Sequence, residues 1–148
     1  MKANNIDVPI KILKEDAQIP KYIHYTDAGC DLFCCDSNIN IPVGKIKVVN
    51  TGIAIKIPAG FEAQIRPRSG LAIKKGIMVV NSPATIDSGY IGEIKVGLIN
   101  MGREPVSINH GERFAQLVFS PVYRGIFHEV ETLGNTDRDK GGFGHTGV

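Results

Sequence analysis

Residues 53–66, Ile-Ala-Ile-Lys-Ile-Pro-Ala-Gly-Phe-Glu-Ala-Gln-Ile-Arg, alternate apolar side chains with small or polar ones on both sides of a Pro-Ala-Gly turn. Because successive side chains of a strand point to opposite faces of a sheet, this alternation predicts two half-buried strands. The same period returns at 94–98, and further turn signals stand at Pro42-Val-Gly, Asn100-Met-Gly and Asn109-His-Gly. Short strands between recurring turns predict an all-β fold, a jelly-roll-like β-sandwich or barrel.

The helical content is expected to be one short helix over Ser69 to Lys75. The sequence contains no internal repeat and no second set of alternating segments, so residues 1–133 are interpreted as a single β domain. From Gly134 the alternation stops, and residues 134–148 are rich in glycine. This segment is predicted to be a flexible C-terminal arm, which is either a disordered end or a clasp that closes over a nucleotide.

The amino-acid composition argues against nucleic acid and membranes as partners of this chain. The 148 residues are 43% apolar, enough for a real core, and 17 basic residues balance 15 acidic ones. This balance argues against binding to nucleic acid. No apolar run approaches the roughly 18 residues that a membrane span needs, and the N-terminus lacks the apolar centre of a signal peptide. We therefore expect no membrane partner and a cytoplasmic location.

Cysteine and histidine spacing predicts no metal cage. Cys30, Cys34 and Cys35 are odd in number and crowded, and they are interpreted as small buried apolar residues. A redox pair remains the alternative. The histidines are scattered, at positions 24, 110, 128 and 145. Any metal is therefore expected to arrive together with its ligand.

The segment Arg66-Pro-Arg-Ser-Gly-Leu-Ala72 lies between a predicted strand and the predicted helix. Ser69 could cap that helix, and the free amides of its first turn could face an anion such as a phosphate. An ordinary helix cap beside a solvated arginine explains the same residues equally well. Lys74 and Lys75 are most simply interpreted as solvated charges.

The segment Asn81 to Tyr90 lies between two apolar runs and is interpreted as a hairpin with polar tips. The exposed backbone edge of a hairpin can imitate a base-pairing partner, and Asn81 carries both a donor and an acceptor. Asp87 could be an ordinary turn residue or a catalytic carboxylate. Ala84 would be strained if its backbone required a positive φ.

Two further segments contain isolated polar residues. Gly111 to Phe119 is predicted to be a strand, in which Arg113 and Gln116 point to opposite faces if the strand is unbroken. Asp31 stands alone among small and apolar residues in Asp27-Ala-Gly-Cys-Asp-Leu-Phe33. Neither segment indicates a function by itself.

Taken together and in order, five segments of this chain closely resemble the five motifs of the trimeric deoxyuridine triphosphatases (dUTPases), over about residues 28–147. The resemblance implies a jelly-roll homotrimer with an exchanged C-terminal arm and active sites shared between subunits. It also implies hydrolysis of dUTP to dUMP and pyrophosphate with Mg²⁺, which limits uracil in DNA and supplies dUMP for thymidylate synthesis. The matching segments are Ala28–Leu32, Pro67–Ala72, Asn81–Tyr90, Gly111–Gln116 and Arg138–Gly147.

The resemblance assigns roles to the residues that handle phosphate, water and metal. Asp87 matches the carboxylate that deprotonates the water attacking the α-phosphorus, and Asp31 matches an aspartate that contacts waters on the metal. Gln116 matches a glutamine near the phosphates, and Arg113 resembles a supporting arginine. Phosphate contacts are implied for Arg68, Ser69, Gly70, Arg138, Gly144, His145 and Thr146.

The resemblance likewise implies how the base and sugar are held. Uracil is expected against the backbone around Thr85, Ile86 and Lys95, with Asn81 contacting its edge and Phe143 covering its face. Tyr90 is expected under the deoxyribose, where it leaves no room for a 2′-hydroxyl. A site built for uracil would leave buried polar groups unpaired against cytosine.

Three alternatives stay open at the level of sequence. A deoxycytidine triphosphate deaminase shares this fold and related motifs, but the tail with Phe143 argues against it. A regulatory module that senses nucleotides is the second alternative, and a structural β-trimer without catalysis is the third.

Overall fold

The computed structural model describes residues 5–141, and the predictions for Phe143, Gly144, His145 and Thr146 lie outside this range. The described chain forms ten strands and one helix, numbered below in chain order. The helix, α1 (Ser69–Lys75), has the predicted bounds, and Gly76 ends it with a φ of 69°. Among the described residues no helix is long and apolar enough to cross a membrane.

Two four-stranded sheets make up the body of the fold, and all of their strand pairs are antiparallel. In spatial order the first sheet contains β1 (Ile10–Ile12), β4 (Ile46–Ile55), β8 (Glu93–Asn100) and β6 (Ile77–Val79). The second contains β2 (Gly29–Phe33), β10 (Arg113–Pro121), β5 (Phe61–Pro67) and β7 (Ala84–Asp87). A separate ribbon pairs β3 (Asn38–Ile41) with β9 (Val106–Asn109).

The alternation of apolar and polar residues in the sequence matches the side chains that form the core. In β8 the side chains of Ile94, Val96 and Leu98 are buried, whereas Lys95 is exposed. Residues from both sheets, including Leu32, Ile53, Ala63, Ile65 and Leu117, belong to one buried apolar cluster. The sandwich and the predicted half-buried strands at 61–66 and 94–98 are confirmed, and the turn glycines Gly44, Gly60 and Gly111 have positive φ. The half-buried strand predicted at 53–57 belongs to β4, which ends at Ile55 and is buried on both faces over 51–55.

The last strand ends at Pro121, and residues 122–141 contain no helix or strand and are almost entirely exposed. The part of the chain that lies outside the sheets therefore begins at residue 122, before Gly134. The flexible arm over residues 134–148 stays a prediction.

Candidate active site

A buried carboxylate, Asp31, lies between two arginines. Asp31 is 8% exposed and sits in the middle of β2. Arg68 Nε lies 2.8 Å from Asp31 Oδ1, and Arg113 Nη1 donates to Asp31 Oδ2 at 3.1 Å. Arg68 Nη1 also donates to the backbone carbonyl of Arg113 at 3.0 Å. Since charge-assisted hydrogen bonds are short and directional, this arrangement fixes both guanidinium groups relative to the sheet.

The strand order of the second sheet brings three of the sequence segments together. β10 is the neighbour of both β2 and β5, and Gln116 of β10 is in register with Asp31 on one side and Arg66 on the other. Arg68 immediately follows the end of β5. Asp31, Arg68 and Gln116 are therefore neighbours because of sheet pairing, although they are far apart in sequence.

Arg113 and Gln116 line the same cavity, whereas opposite faces were predicted for an unbroken strand. The pairing of β10 with β2 shifts register between Arg113 and Ala115, which leaves Phe114 as an extra residue. Phe114 and Ala115 are both buried, as expected for consecutive residues in a β-bulge. The bulge reverses the alternation, so the condition of an unbroken strand is not met.

Gln116 is held in place on two sides. Its Nε2 donates to the carbonyl of Pro67 at 2.9 Å. A Cβ atom added at Gly29 would overlap Gln116 Oε1, so a larger residue at Gly29 would displace the amide. The amide of Gln116 is therefore oriented before any ligand binds.

The helix α1 begins differently from the prediction. Arg68 occupies the N-cap position and provides no side-chain cap, while Ser69 is the first helical residue. The prediction that Ser69 caps the helix is therefore wrong, and its hydroxyl is not used for that purpose. Because the first amides of a helix have no partner within the helix, the N–H groups of Ser69 and Gly70 are available to an anion.

These residues surround a cavity of about 600 Å³. Lys74 and Lys75, interpreted from sequence as solvated charges, also line it and contribute to its charge. Sequence reasoning missed this contribution, because it requires the helix to turn its C-terminal lysines toward Asp31. Four cationic side chains therefore line the cavity beside two carboxylates, Asp27 and Asp31.

The segment Asn81 to Tyr90 is not a hairpin by itself, and this prediction is corrected. β6 before it pairs with β8 after it in the first sheet, whereas β7 within it crosses to the second sheet and pairs with β5. Thr85, Ile86 and Asp87 lie on this edge strand, which has a neighbour on one side only among the described strands. Ala84 is buried and has no positive φ, so the expected strain is not present.

The remaining residues assigned to base and sugar are held by short-range contacts. Tyr90 is 45% exposed, and its hydroxyl donates to the carbonyl of Glu93 at 2.8 Å. Lys95 Nζ lies 3.6 Å from a Glu93 carboxylate oxygen. Asn81 is exposed in the turn after β6. None of the residues assigned to the Asn81–Lys95 region lines the cavity beside Asp31.

Two halves of the candidate site therefore lie at opposite ends of β5. Asp87 is in register with Glu62 near the start of β5, while Arg68 follows its end at Pro67. Strands rise about 3.3 Å per residue, so the six steps from Glu62 to Arg68 correspond to roughly 20 Å. Within one chain, the carboxylate of Asp87 and the arginine-lined cavity are not adjacent.

Arg138 does not reach either half in this structure. It is exposed, and its Nε donates to the carbonyl of Gly141 at 2.9 Å within a local turn. Its predicted contact with phosphate stays a prediction.

The fold and this cavity define a β-sandwich protein with a cationic, preorganised anion site. A sequence model of the dUTPase family matches residues 15–147. A deoxyuridine 5′-triphosphate nucleotidohydrolase from Hydrogenobaculum sp. is 52% identical over 94% of this chain and 96% of its own length. The corresponding protein of Crocosphaera subtropica is also 52% identical, over 97% and 100%.

Solved structures agree with this assignment. The dUTPase of Staphylococcus bacteriophage 80alpha, determined with dUpNHpp, superposes with a TM-score of 0.89 at 26% identity, covering 97% of this chain and 100% of its own. A mutant dUTPase from phage phi11 of S. aureus, reported with a structural Mg(II) ion, gives 0.79 at 25% identity, covering 86% and 99%. The chain belongs to the dUTPase family, which confirms the resemblance and the enzyme class inferred from its motifs.

Proposed function

We propose that this chain hydrolyses dUTP to dUMP and pyrophosphate by attack of water on the α-phosphorus. The observation that carries the proposal is the cavity in which Asp31 orients Arg68 and Arg113 while Gln116 is fixed beside them. Arginine matches phosphate oxygens through a planar fork of donors, so these groups suit a triphosphate. The names of the relatives and the binding of dUpNHpp, a dUTP analogue, by the phage enzyme support the choice of nucleotide.

The proposed catalytic residues contribute unequally to the rate of hydrolysis. Asp87 acts as the general base on the attacking water, which accounts for about 10² to 10⁴ in rate, or roughly 3 to 5 kcal/mol. Phosphoryl transfer depends mostly on positioning and on neutralising the charge of the phosphates. Those tasks belong to Arg68, to the amides of Ser69 and Gly70, and to Gln116. Arg113 supports them through Asp31.

The separation of about 20 Å along β5 requires a second chain. A base must approach the water it deprotonates within hydrogen-bonding distance, so the Asp87 that serves one cavity comes from a neighbouring subunit. Each active site is therefore shared, which is the arrangement that the family resemblance implies.

An apolar outer face supports assembly into a homotrimer. In the first sheet, Ile46 is in register with Ile99, which is in register with Met78. Val48 is in register with Gly97, whose neighbour across the sheet is Val80. Ile46, Val48, Met78 and Val80 are 37–55% exposed. A contiguous exposed apolar surface of this kind is typical of a protein–protein contact, and copies of this chain would cover it.

The segment after β10 supports exchange of the C-terminal arm. Its large apolar side chains contact little of their own chain: Tyr123, Ile126, Phe127 and Leu133 are 91–97% exposed. Burying such a side chain contributes about 1.5 to 3 kcal/mol, which a neighbouring subunit can supply. The exchange places Arg138, Phe143, Gly144, His145 and Thr146 over a neighbour's substrate.

The free edge of β7 is the proposed base site. Its backbone N–H and C=O groups at Thr85 and Ile86 can pair with uracil. Asn81 and Lys95 are assigned to the same base site on the family resemblance. Tyr90, fixed by its bond to Glu93, packs under the deoxyribose. A site whose polar groups match uracil rejects cytosine, because binding cytosine would leave them unpaired.

Mg²⁺ is proposed to enter with the triphosphate. Both oxygens of Asp31 are engaged by arginines, and within residues 5–141 no group of three metal-ligating side chains lines this cavity. Mg²⁺ usually keeps several waters and binds substrate phosphates, so Asp31 and Asp27 would hold its water shell. When bound, the ion neutralises phosphate charge. The product dUMP would supply thymidylate synthesis, and removal of dUTP would limit uracil in DNA, in the cytoplasm.

The test is release of pyrophosphate from dUTP, UTP, dTTP and dCTP, measured side by side with Mg²⁺ and with chelator. Release confined to dUTP and dependent on Mg²⁺ is expected. Ammonia release from dCTP would instead identify a deaminase. Release from none of the four would favour a nucleotide-sensing module.

Sharing between subunits has its own test. Asp87→Asn protein and Arg68→Gln protein, each inactive alone, are mixed in equal amounts under conditions of confirmed subunit exchange. If the two residues come from different chains, about a quarter of the sites regain both intact residues. Absence of any recovery would place each site within one chain.

A further inference from the structure

Three potential metal ligands from distant parts of the sequence converge outside the candidate active site. Asp16 follows β1, Cys35 follows β2, and His110 lies in the turn between β9 and β10. Their ligand atoms all lie within 4.8 Å of one another. Cys35 Sγ is 3.4 Å from Asp16 Oδ1, and His110 Nδ1 is 3.7 Å from Asp16 Oδ2. The sequence predicted no such cluster, because the three residues are not close in the chain.

The backbone holds these three segments together without any ligand. Gly111 N donates to the carbonyl of Cys34 at 2.8 Å, which fixes the His110 turn beside the cysteine. Leu13 N and Lys14 N both approach the carbonyl of Gly52. Gly52 has a φ of 68°, and a Cβ there would lie 2.7 Å from Cys35 Sγ. The cluster is therefore preorganised by main-chain contacts.

The spacing of the ligand atoms fits tetrahedral coordination. With zinc–sulfur, zinc–nitrogen and zinc–oxygen bonds of about 2.3, 2.0 and 2.0 Å, neighbouring ligands of a tetrahedron are roughly 3.3 to 3.5 Å apart. The separations of 3.4 and 3.7 Å run to the two different oxygens of Asp16, and all three ligand atoms lie within 4.8 Å of one another. Side-chain rotations would bring them to these values. We propose that Asp16, Cys35 and His110 bind a borderline-soft divalent cation of the Zn²⁺ type, with water as a fourth ligand.

The ligand types select the metal. Thiolate and imidazole favour Zn²⁺ and Co²⁺, whereas Mg²⁺ requires oxygen ligands. Asp16 and His110 are exposed, so the ion and its water can enter from solvent, while Cys35 closes the inner side. Two anionic ligands, the Asp16 carboxylate and the Cys35 thiolate, balance the charge of the ion.

Without metal, the Cys35 thiol is protonated. Burial is the main cause that raises the pKa of this thiol, and its hydrogen bond to Asp16 raises the pKa further. Binding of the cation replaces the thiol proton that bridges to Asp16 and releases it to solvent. Lys14 lies nearby and pairs with Asp36 at 3.9 Å.

The experiment uses nucleotide-free full-length protein titrated with Co²⁺, whose thiolate complexes show a charge-transfer absorption. One Co²⁺ per chain with this absorption is expected, and Zn²⁺ but not excess Mg²⁺ should abolish it by displacement. Cys35→Ser should remove the absorption. Cys34→Ser, which changes the adjacent buried thiol, is the matched control and should retain it.

If Cys35→Ser does not fold, a substitution of the exposed His110 tests the same site. His110→Gln changes an exposed side chain in a turn and should weaken Zn²⁺ at least tenfold, by analogy with the 10- to 100-fold losses seen around metal sites. Unchanged Zn²⁺ affinity in His110→Gln, or a thiolate absorption that disappears with Cys34 instead of Cys35, would overturn the proposal. None of the three residues lines the cavity beside Asp31, so dUTP hydrolysis is a separate readout.

Discussion

The two ends of β5 carry the two halves of the candidate site, and they are built in different ways. At one end, Asp31 is buried and paired with two arginines, and Gln116 is bound to Pro67. At the other, Asp87 is exposed on an edge strand. One half is assembled within a single chain, whereas the other lies exposed at an open strand edge.

This contrast follows from the physics of burial. A buried carboxylate is unstable unless it is paired, so the phosphate half must form its ion pairs when the chain folds. An exposed carboxylate is stable in water and needs no partner. Substitution of the buried Asp31 should therefore affect stability, while substitution of the exposed Asp87 should affect catalysis alone.

The largest expected effect is that of Asp87→Asn. Removal of the base should lower kcat by about 10² to 10⁴. Because the side chain is exposed, the free energy of unfolding should change by less than about 0.5 kcal/mol. Steady-state pyrophosphate release and thermal melting measure the two quantities. Asp7→Asn, another exposed aspartate, is the control and should change neither.

Deletion of residues 137–148 should come next. Loss of the segment that is proposed to cover the substrate is expected to reduce kcat by about 10², since misplacement of reacting groups alone has effects of this size. The melting temperature should not change, because residues 137–140 are exposed and the hydrogen bond of Arg138 stays within its own turn. Phe143→Ala, which removes one ring, should have a smaller effect. Full activity in the truncated protein would rule out the clasp.

Asp31→Asn should be the main stability variant. It removes the charge that pairs with Arg68 and accepts a hydrogen bond from Arg113, and a hydrogen bond to a charged group contributes about 1.5 to 3 kcal/mol. Urea unfolding at fixed protomer concentration should show a loss of this size. If Asp31→Asn were as stable as Asp87→Asn, the proposed difference between the two halves would be wrong.

The smallest effect is expected for Ser69→Ala. An N-cap serine contributes about 1 kcal/mol, but Ser69 is the first residue within the helix, so its loss should change stability by less than about 0.5 kcal/mol. The comparison variant is Thr51→Val. Its buried hydroxyl donates to Ile94 at 2.7 Å, and its removal should lower the free energy of unfolding by about 1 kcal/mol.

Several features could be predicted because they depend on neighbours in the sequence. The period of two at Ile53 to Arg66 and at Ile94 to Leu98 identified strands, and Ser69 to Lys75 was found to be the helix. The segments around Asp31, Arg68 and Gln116 were also identified, since their motifs resemble those of a known family. What these residues contact could not be predicted in the same way.

The all-β class, the helix and the family follow from the order of residues along the chain, because alternation, turn glycines and motifs are visible there without any contact between distant segments. Tertiary structure decided the bulge at Phe114, the crossing of β7 to the second sheet and the convergence of Asp16, Cys35 and His110. Each of these depends on which distant strand satisfies the backbone hydrogen bonds. That choice is made by the packing of the whole sandwich.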